Sequence, residues 1–155
     1  MTIKEDTDSI YIEDYIIPKG REKTFIKVRE EIIWAILGKW LSENPPKRKK
    51  NIDLDDYIYL RFDGMQETVN KAARNYKSTM ALIQLDTILA NAMQEGTDKP
   101  KSKRQKKFAK IIIMSVSMPD FLPYFDKVKM LVGITKQKKN AKNIQYSITA
   151  IEPVK

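Results

Sequence analysis

Histidine and cysteine are both absent from these 155 residues. Without cysteine there are no disulfides and no thiolate metal sites, and an intracellular compartment is permitted, with the cytoplasm as the expected location. Without histidine the commonest general base and the commonest metal ligand are gone together. Any catalysis must draw on lysine, arginine, tyrosine, serine, threonine or carboxylates, and zinc loses its usual ligands. No apolar run approaches the roughly 18 residues that a membrane span needs, and the acidic start is unlike a signal peptide, so a soluble chain without a membrane partner is expected. No Walker-type loop, GxGxxG, GxSxG or HExxH is present, so neither a nucleotide cofactor nor a motif-defined enzyme class gains support.

What the chain has in excess is positive charge. Twenty-nine Lys and Arg against twenty Asp and Glu give a net charge of +9 and a pI near 9.6, a balance that favours a polyanionic partner. The basic residues cluster. Four lie in Lys47–Lys50, seven between Lys99 and Lys110, and four between Lys136 and Lys142. Residues 1–18 are instead acidic, with Glu5, Asp6, Asp8, Glu13 and Asp14 against Lys4.

The length suits one domain. Residues 1–20 read as a flexible or extended arm ending at Pro18 and Gly20, and 21–155 as a single α+β domain. From Arg21 to Ser42, apolar residues recur at three- and four-residue spacing from Phe25 to Leu41, which predicts an amphipathic helix stopped by Asn44-Pro45-Pro46. Trp34 falls off that stripe. PPKRKK predicts a basic loop, and the alternating run Tyr57–Phe62 a strand with Tyr57, Tyr59 and Arg61 on one face. Asp63-Gly64 turns the chain into short helices from about Met65 to Arg74, Tyr76 to Gln84 and Thr87 to Ala92, the last with Asp86 as N-cap. Lys71 and Arg74 are three apart and project from one side. Phe108–Met118, Val128–Thr135 and Ile144–Ile151 predict three strands, joined by hairpins into an antiparallel meander under the N-terminal helices. The basic tract before them offers phosphate contacts from Lys99, Lys101, Lys103, Arg104, Lys106, Lys107 and Lys110, with Lys71 nearby.

The succession of the helix ending at WLSEN, the strand YIYLRF, GMQETVNKAARNYK, LDTILANA and a final strand reading QYSITAIE resembles the phage- and mobile-element-associated nuclease domains of the barnase, EndoU, colicin and RelE-like (BECR) superfamily. The likeness runs from about Arg29 to Glu152. Gly64, Gln66, Glu67, Arg74, Tyr76, Lys77, Leu85, Ile88, Leu89, Ala92, Tyr146, Ser147, Ile148 and Thr149 carry it. Many relatives hold a histidine before the LxxLLxxA helix, and this chain does not.

The resemblance implies a BECR-like fold, with helices on a C-terminal antiparallel sheet, and metal-independent cleavage of RNA, tRNA among the candidate substrates. In that reaction the 2′-hydroxyl attacks the adjacent phosphorus and leaves a cyclic phosphate. It also implies a toxin or mobile-element effector with a cognate immunity or antitoxin protein. The chemistry needs a proton acceptor, a proton donor and cations for the phosphorane. Arg74 and Lys77 would supply the charge, Tyr146 would exchange the proton, and Ser147 or Thr149 would orient the phosphate. Two other readings stay open: a binding module that holds nucleic acid without turnover, and an immunity or anti-defence protein whose partner is another protein.

Overall fold

In the computed structural model, which describes residues 1–101, 105–135 and 144–154, the N-terminal residues are extended and fold into a sheet of their own. Alternating branched residues form strands β1 (Ile3–Glu5), β2 (Ser9–Ile12) and β3 (Tyr15–Pro18), a three-stranded antiparallel sheet. Asp6 closes its first turn by accepting from the amides of Asp8 and Ser9. Ile10, Ile12 and Ile17 are fully buried in the common core.

Helix α1 (Lys23–Glu43) matches the predicted amphipathic helix. It buries Ile33, Ile36, Leu37 and Trp40, and Asn44 ends it by donating its side-chain amide to the Trp40 carbonyl at 2.9 Å. Trp34 stays partly exposed and stacks on Phe62 at 6.3 Å between ring centroids. The basic run expected as a loop becomes strand β4 (Arg48–Asn51), hairpinned with β5 (Asp56–Tyr59). Asn51 makes the difference. Buried at the end of β4, its side chain accepts from the Leu54 amide in the turn and donates to the carbonyls of Leu89 and Ala92, so the edge strand is bound to the helix behind it.

The strand predicted to reach Phe62 stops at Tyr59, because helix α2 (Phe62–Ala72) starts there, with Asp63 in its first turn and Lys71 in its last complementing the helix dipole. Helix α3 (Tyr76–Ala81), a 3₁₀ turn (Leu82–Gln84) and α4 (Leu85–Asn91) follow. Asp86 lies inside the first turn of α4, not at its N-cap, and is taken up by Trp40 Nε1 at 3.0 Å and Lys49 Nζ at 3.2 Å. An unforeseen strand, β6 (Met93–Asp98), precedes β7 (Phe108–Ser117), β8 (Lys127–Thr135) and β9 (Tyr146–Val154).

The domain is α+β. Strands β7 to β9 form the predicted antiparallel meander, extended by β6 at its edge, but the full sheet, in the order β4-β5-β9-β8-β7-β6, is mixed, because β5 joins β9 in parallel. That pairing involves only Ile58 with Tyr146 and Tyr59 with Ser147. Where β5 leaves, α2 covers β9 instead, so closely that a Cβ on Gly64 would lie 2.1 Å from the Ile148 carbonyl oxygen. A bulge opposite Leu131 and Val132 leaves Thr149 as the extra residue of β9. Strict alternation would send Ile148 and Ile151 to opposite faces. The bulge shifts the phase so that both join the core.

Gly64→Ala is expected to lower unfolding free energy by about 1–3 kcal/mol, since the carbonyl facing it is backbone and cannot swing away. Gly38→Ala, in the middle of α1 with nothing within 4 Å of an added Cβ, is expected to raise it by about 0.5–1 kcal/mol. Urea denaturation of the two variants against wild type measures both signs.

Candidate nucleic-acid interface

Asp63, Glu67, Lys71 and Arg74 follow one another at four-, four- and three-residue steps, so they form a row from the start of α2 to just past its end. The row links three hollows. A crevice at its start is lined by Arg61, Asp63, Gly64, Glu67, Lys107, Ser147 and Thr149. A cavity of about 280 Å³ lies beside Lys71, walled by Asp98, Lys99, Lys101 and Gln105. At its end is the largest, about 700 Å³, where Lys19, Arg21, Lys71, Arg74 and Lys77 meet Tyr76, Tyr124 and the last residues of β9.

Both walls of the large cavity are set by one buried side chain. Arg29, fully buried on α1, donates Nε to the Ala73 carbonyl at 2.8 Å and Nη1 to the carbonyls of Pro18 and Gly20 at 2.7 Å each, with Nη2 3.4 Å from the Arg74 carbonyl. Burial pulls its pKa below the ordinary arginine value, and carbonyls at the C-terminal end of α2, with its partial negative charge, hold the cation. Pro18 and Gly20 bracket Lys19 and precede Arg21. Ala73 and Arg74 precede Tyr76 and Lys77. Asn75 completes the second wall, accepting from the Ser78 amide at 2.8 Å as the N-cap of α3.

The charge in the cavity is only partly answered. Lys19 pairs with Glu5 at 2.6 Å, and Lys71 with the mostly buried Glu67 at 3.3 Å. Among the described residues no carboxylate pairs with Arg21 or Arg74. The Glu5 contact raises the Lys19 pKa and lowers that of Glu5. Tyr124 is pushed up to about 12, by burial first and by the Glu5 carboxylate next. Its phenol therefore keeps its proton, with the Glu5 carboxylate as its neighbour. Lys19 and Lys77 each lie about 6 Å from the Tyr76 ring centroid, at 5.9 and 6.0 Å.

Of the residues expected from sequence, Arg74 and Lys77 share the large cavity, and Lys71 borders it and the middle one. Tyr146 lines neither: it packs against the hydrophobic core at the opposite end of β9 from Ile151–Val154. The six residue steps from Tyr146 to Glu152 span roughly 20 Å of strand. Ser147 belongs to the crevice, where its hydroxyl meets Arg61 Nε at 3.2 Å, and Thr149 is buried with its hydroxyl on the Leu131 carbonyl. Lys99 and Lys101 line the middle cavity, Lys101 paired with Asp98 at 2.9 Å. Lys107 pairs with Asp63 at 2.9 Å, while Lys106 and Lys110 are exposed near the start of β7. Lys103, Arg104 and the basic stretch 136–143 lie outside the described residues.

Sequence reading missed Lys19, Arg21, Tyr124 and Arg61. The first two sit in PKGR, at the boundary between the expected arm and the domain, and contacts distant in sequence, those of Arg29 among them, bring that turn to Arg74. Tyr124 lies in the 3₁₀-containing connection between β7 and β8, which carried no periodic signal. Arg61 was placed on a face with Tyr57 and Tyr59, and that alternation was the available clue.

Arg29→Met should cost about 3–5 kcal/mol in urea denaturation, because it strands buried carbonyls from two separate turns. The raised phenol implies that its contribution to stability is complete below about pH 10 and is lost as pH rises through about 12. An absorbance titration of the tyrosines should show a late-ionising phenol that disappears in Tyr124→Phe. Comparison with family models, curated proteins and solved structures finds no match, so the geometry above is what speaks for function.

Proposed function

We propose that this domain binds RNA through the cationic cavity at the end of α2. The observation that carries the reading is the convergence of Lys19, Arg21, Lys71, Arg74 and Lys77 with two tyrosines on one hollow of about 700 Å³, where Arg21 and Arg74 have no carboxylate partner among the described residues. Guanidiniums suit bidentate phosphate contact, and the tyrosine rings offer faces for bases. The basic residues along the middle cavity would extend the phosphate path.

A second reading, a metal-independent ribonuclease of BECR type, is supported by the Tyr124 phenol lining the same hollow as Arg74 and Lys77. In this reading the O2′–P bond forms, the P–O5′ bond breaks, and Tyr124 gives its proton to the departing O5′, the part that the sequence suggested for Tyr146. The 2′-hydroxyl proton passes to water, and Arg74 and Lys77 stabilise the charge on the phosphorane. The four-strand meander preceded by helices supports the same reading of the fold. An effector restrained by a cognate immunity protein would follow from it.

Binding of total RNA is expected to weaken steeply with salt, with Arg74→Ala and Lys77→Ala each costing several-fold and lowering the slope of log affinity against log salt by about one. Absence of binding at low salt would overturn the RNA reading. Cleavage that survives a chelator and is lost in Tyr124→Phe would establish the second reading, and RNA left intact in the bound state would sink it.

A further inference from the structure

Beside the crevice at the start of α2, aromatic rings and guanidiniums alternate on the face of β5 opposite its core residues. Ile58 and Leu60 are buried, while Tyr57 is exposed and Tyr59 half-buried. Arg48, across the hairpin in register with Tyr59, lays its guanidinium 3.9 Å from the Tyr57 ring centroid and 5.9 Å from that of Tyr59. Its Nη1 also meets the Tyr59 hydroxyl at 3.1 Å. On the far side of Tyr59, Arg61 lies 5.6 Å from the ring and reaches Ser147 and Gln145. Among the described residues neither guanidinium has a carboxylate in an ion pair.

The chemistry of such a ladder is specific. A guanidinium plane and a phenol ring are both platforms on which nucleobases stack, and stacking accepts any base because every base has a π face. Duplexes keep their bases inside, so only unpaired nucleotides can use it. The ladder also sits in line with the cavity. Arg61 immediately precedes α2, and thirteen residue steps of helix and turn, about 20 Å at 1.5 Å per step, separate it from Arg74. Between them run the crevice, Lys71 and the middle cavity.

We propose that Tyr57, Arg48, Tyr59 and Arg61 form a base-stacking surface for single-stranded RNA whose phosphates continue along α2 into the cationic cavity. This rests on the RNA reading above and adds that the ligand is single-stranded and held by its bases as well as its charge.

The test measures binding of a twelve-nucleotide oligouridylate and of inorganic polyphosphate to wild type, Tyr57→Leu, Arg48→Gln and Arg74→Ala. Tyr57 is exposed, so its variant should keep the wild-type urea midpoint. Tyr57→Leu is expected to weaken oligouridylate about tenfold and to leave polyphosphate within about twofold, with Arg48→Gln acting in the same direction through its ring contact. Arg74→Ala should weaken both probes. If oligouridylate binds wild type and neither ladder variant changes it, or if Tyr57→Leu weakens both probes alike, the stacking surface is refuted and the cavity stands. If wild type binds polyphosphate and not oligouridylate, the RNA reading and the ladder both fall.

Discussion

A guanidinium with no carboxylate paired to it among the described residues, buried on α1, is the contact on which the arrangement of this domain turns. Arg29 can remain charged and buried only because backbone carbonyls from two distant turns converge on it. Those carbonyls cannot be supplied unless the exit of the N-terminal sheet and the end of α2 are both in place. The cost of burying the charge is thus converted into a constraint on loops that would otherwise be free to wander. Lys19, Arg21, Arg74 and Lys77 ride on those loops. The same residue that completes the packing therefore also holds like charges together at the cavity.

The second constraint is the close approach of α2 to β9. Gly64 permits it, and the bulge at Thr149 adjusts the strand so that Ile148 and Ile151 both point to the core. With α2 seated there, its apolar side, Met65, Val69 and Ala72, is buried, and its charged row is left along the open hollows. Gly133 shows the same economy elsewhere in the sheet: the Phe108 ring lies over it where a side chain would stand.

Holding so many cations near one another opposes folding, and the structure answers this locally. Glu67 takes Lys71, Glu5 takes Lys19, and Asp63 takes Lys107. The acidic N-terminal segment thus has an electrostatic part to play against a basic domain. Arg21 and Arg74 remain without such an answer among the described residues, and that residue of uncompensated charge is what an anion would meet.

Much of this was legible in the sequence wherever a residue's neighbours are close along the chain. The spacing of Ile33, Leu37 and Trp40 determined α1, the alternation in Tyr57–Arg61 determined the face that bears the ladder, and the branched runs determined β7, β8 and β9. Lys71 and Arg74 were recognisable from their spacing at the end of α2, and Lys77 from the family resemblance. Partnership across the chain was not legible. That Asn51 would turn a basic run into a strand, that residues 3–18 would form a sheet, and that PKGR would face Arg74 all depend on contacts between residues far apart in sequence. Tyr146 and Tyr124 illustrate the limit: the family resemblance singled out the first, while tertiary packing turned it toward the core and set the second among the cations. Periodicity reports which side of an element is apolar, but which elements meet is decided by complementary packing and by the carbonyls that a buried charge requires.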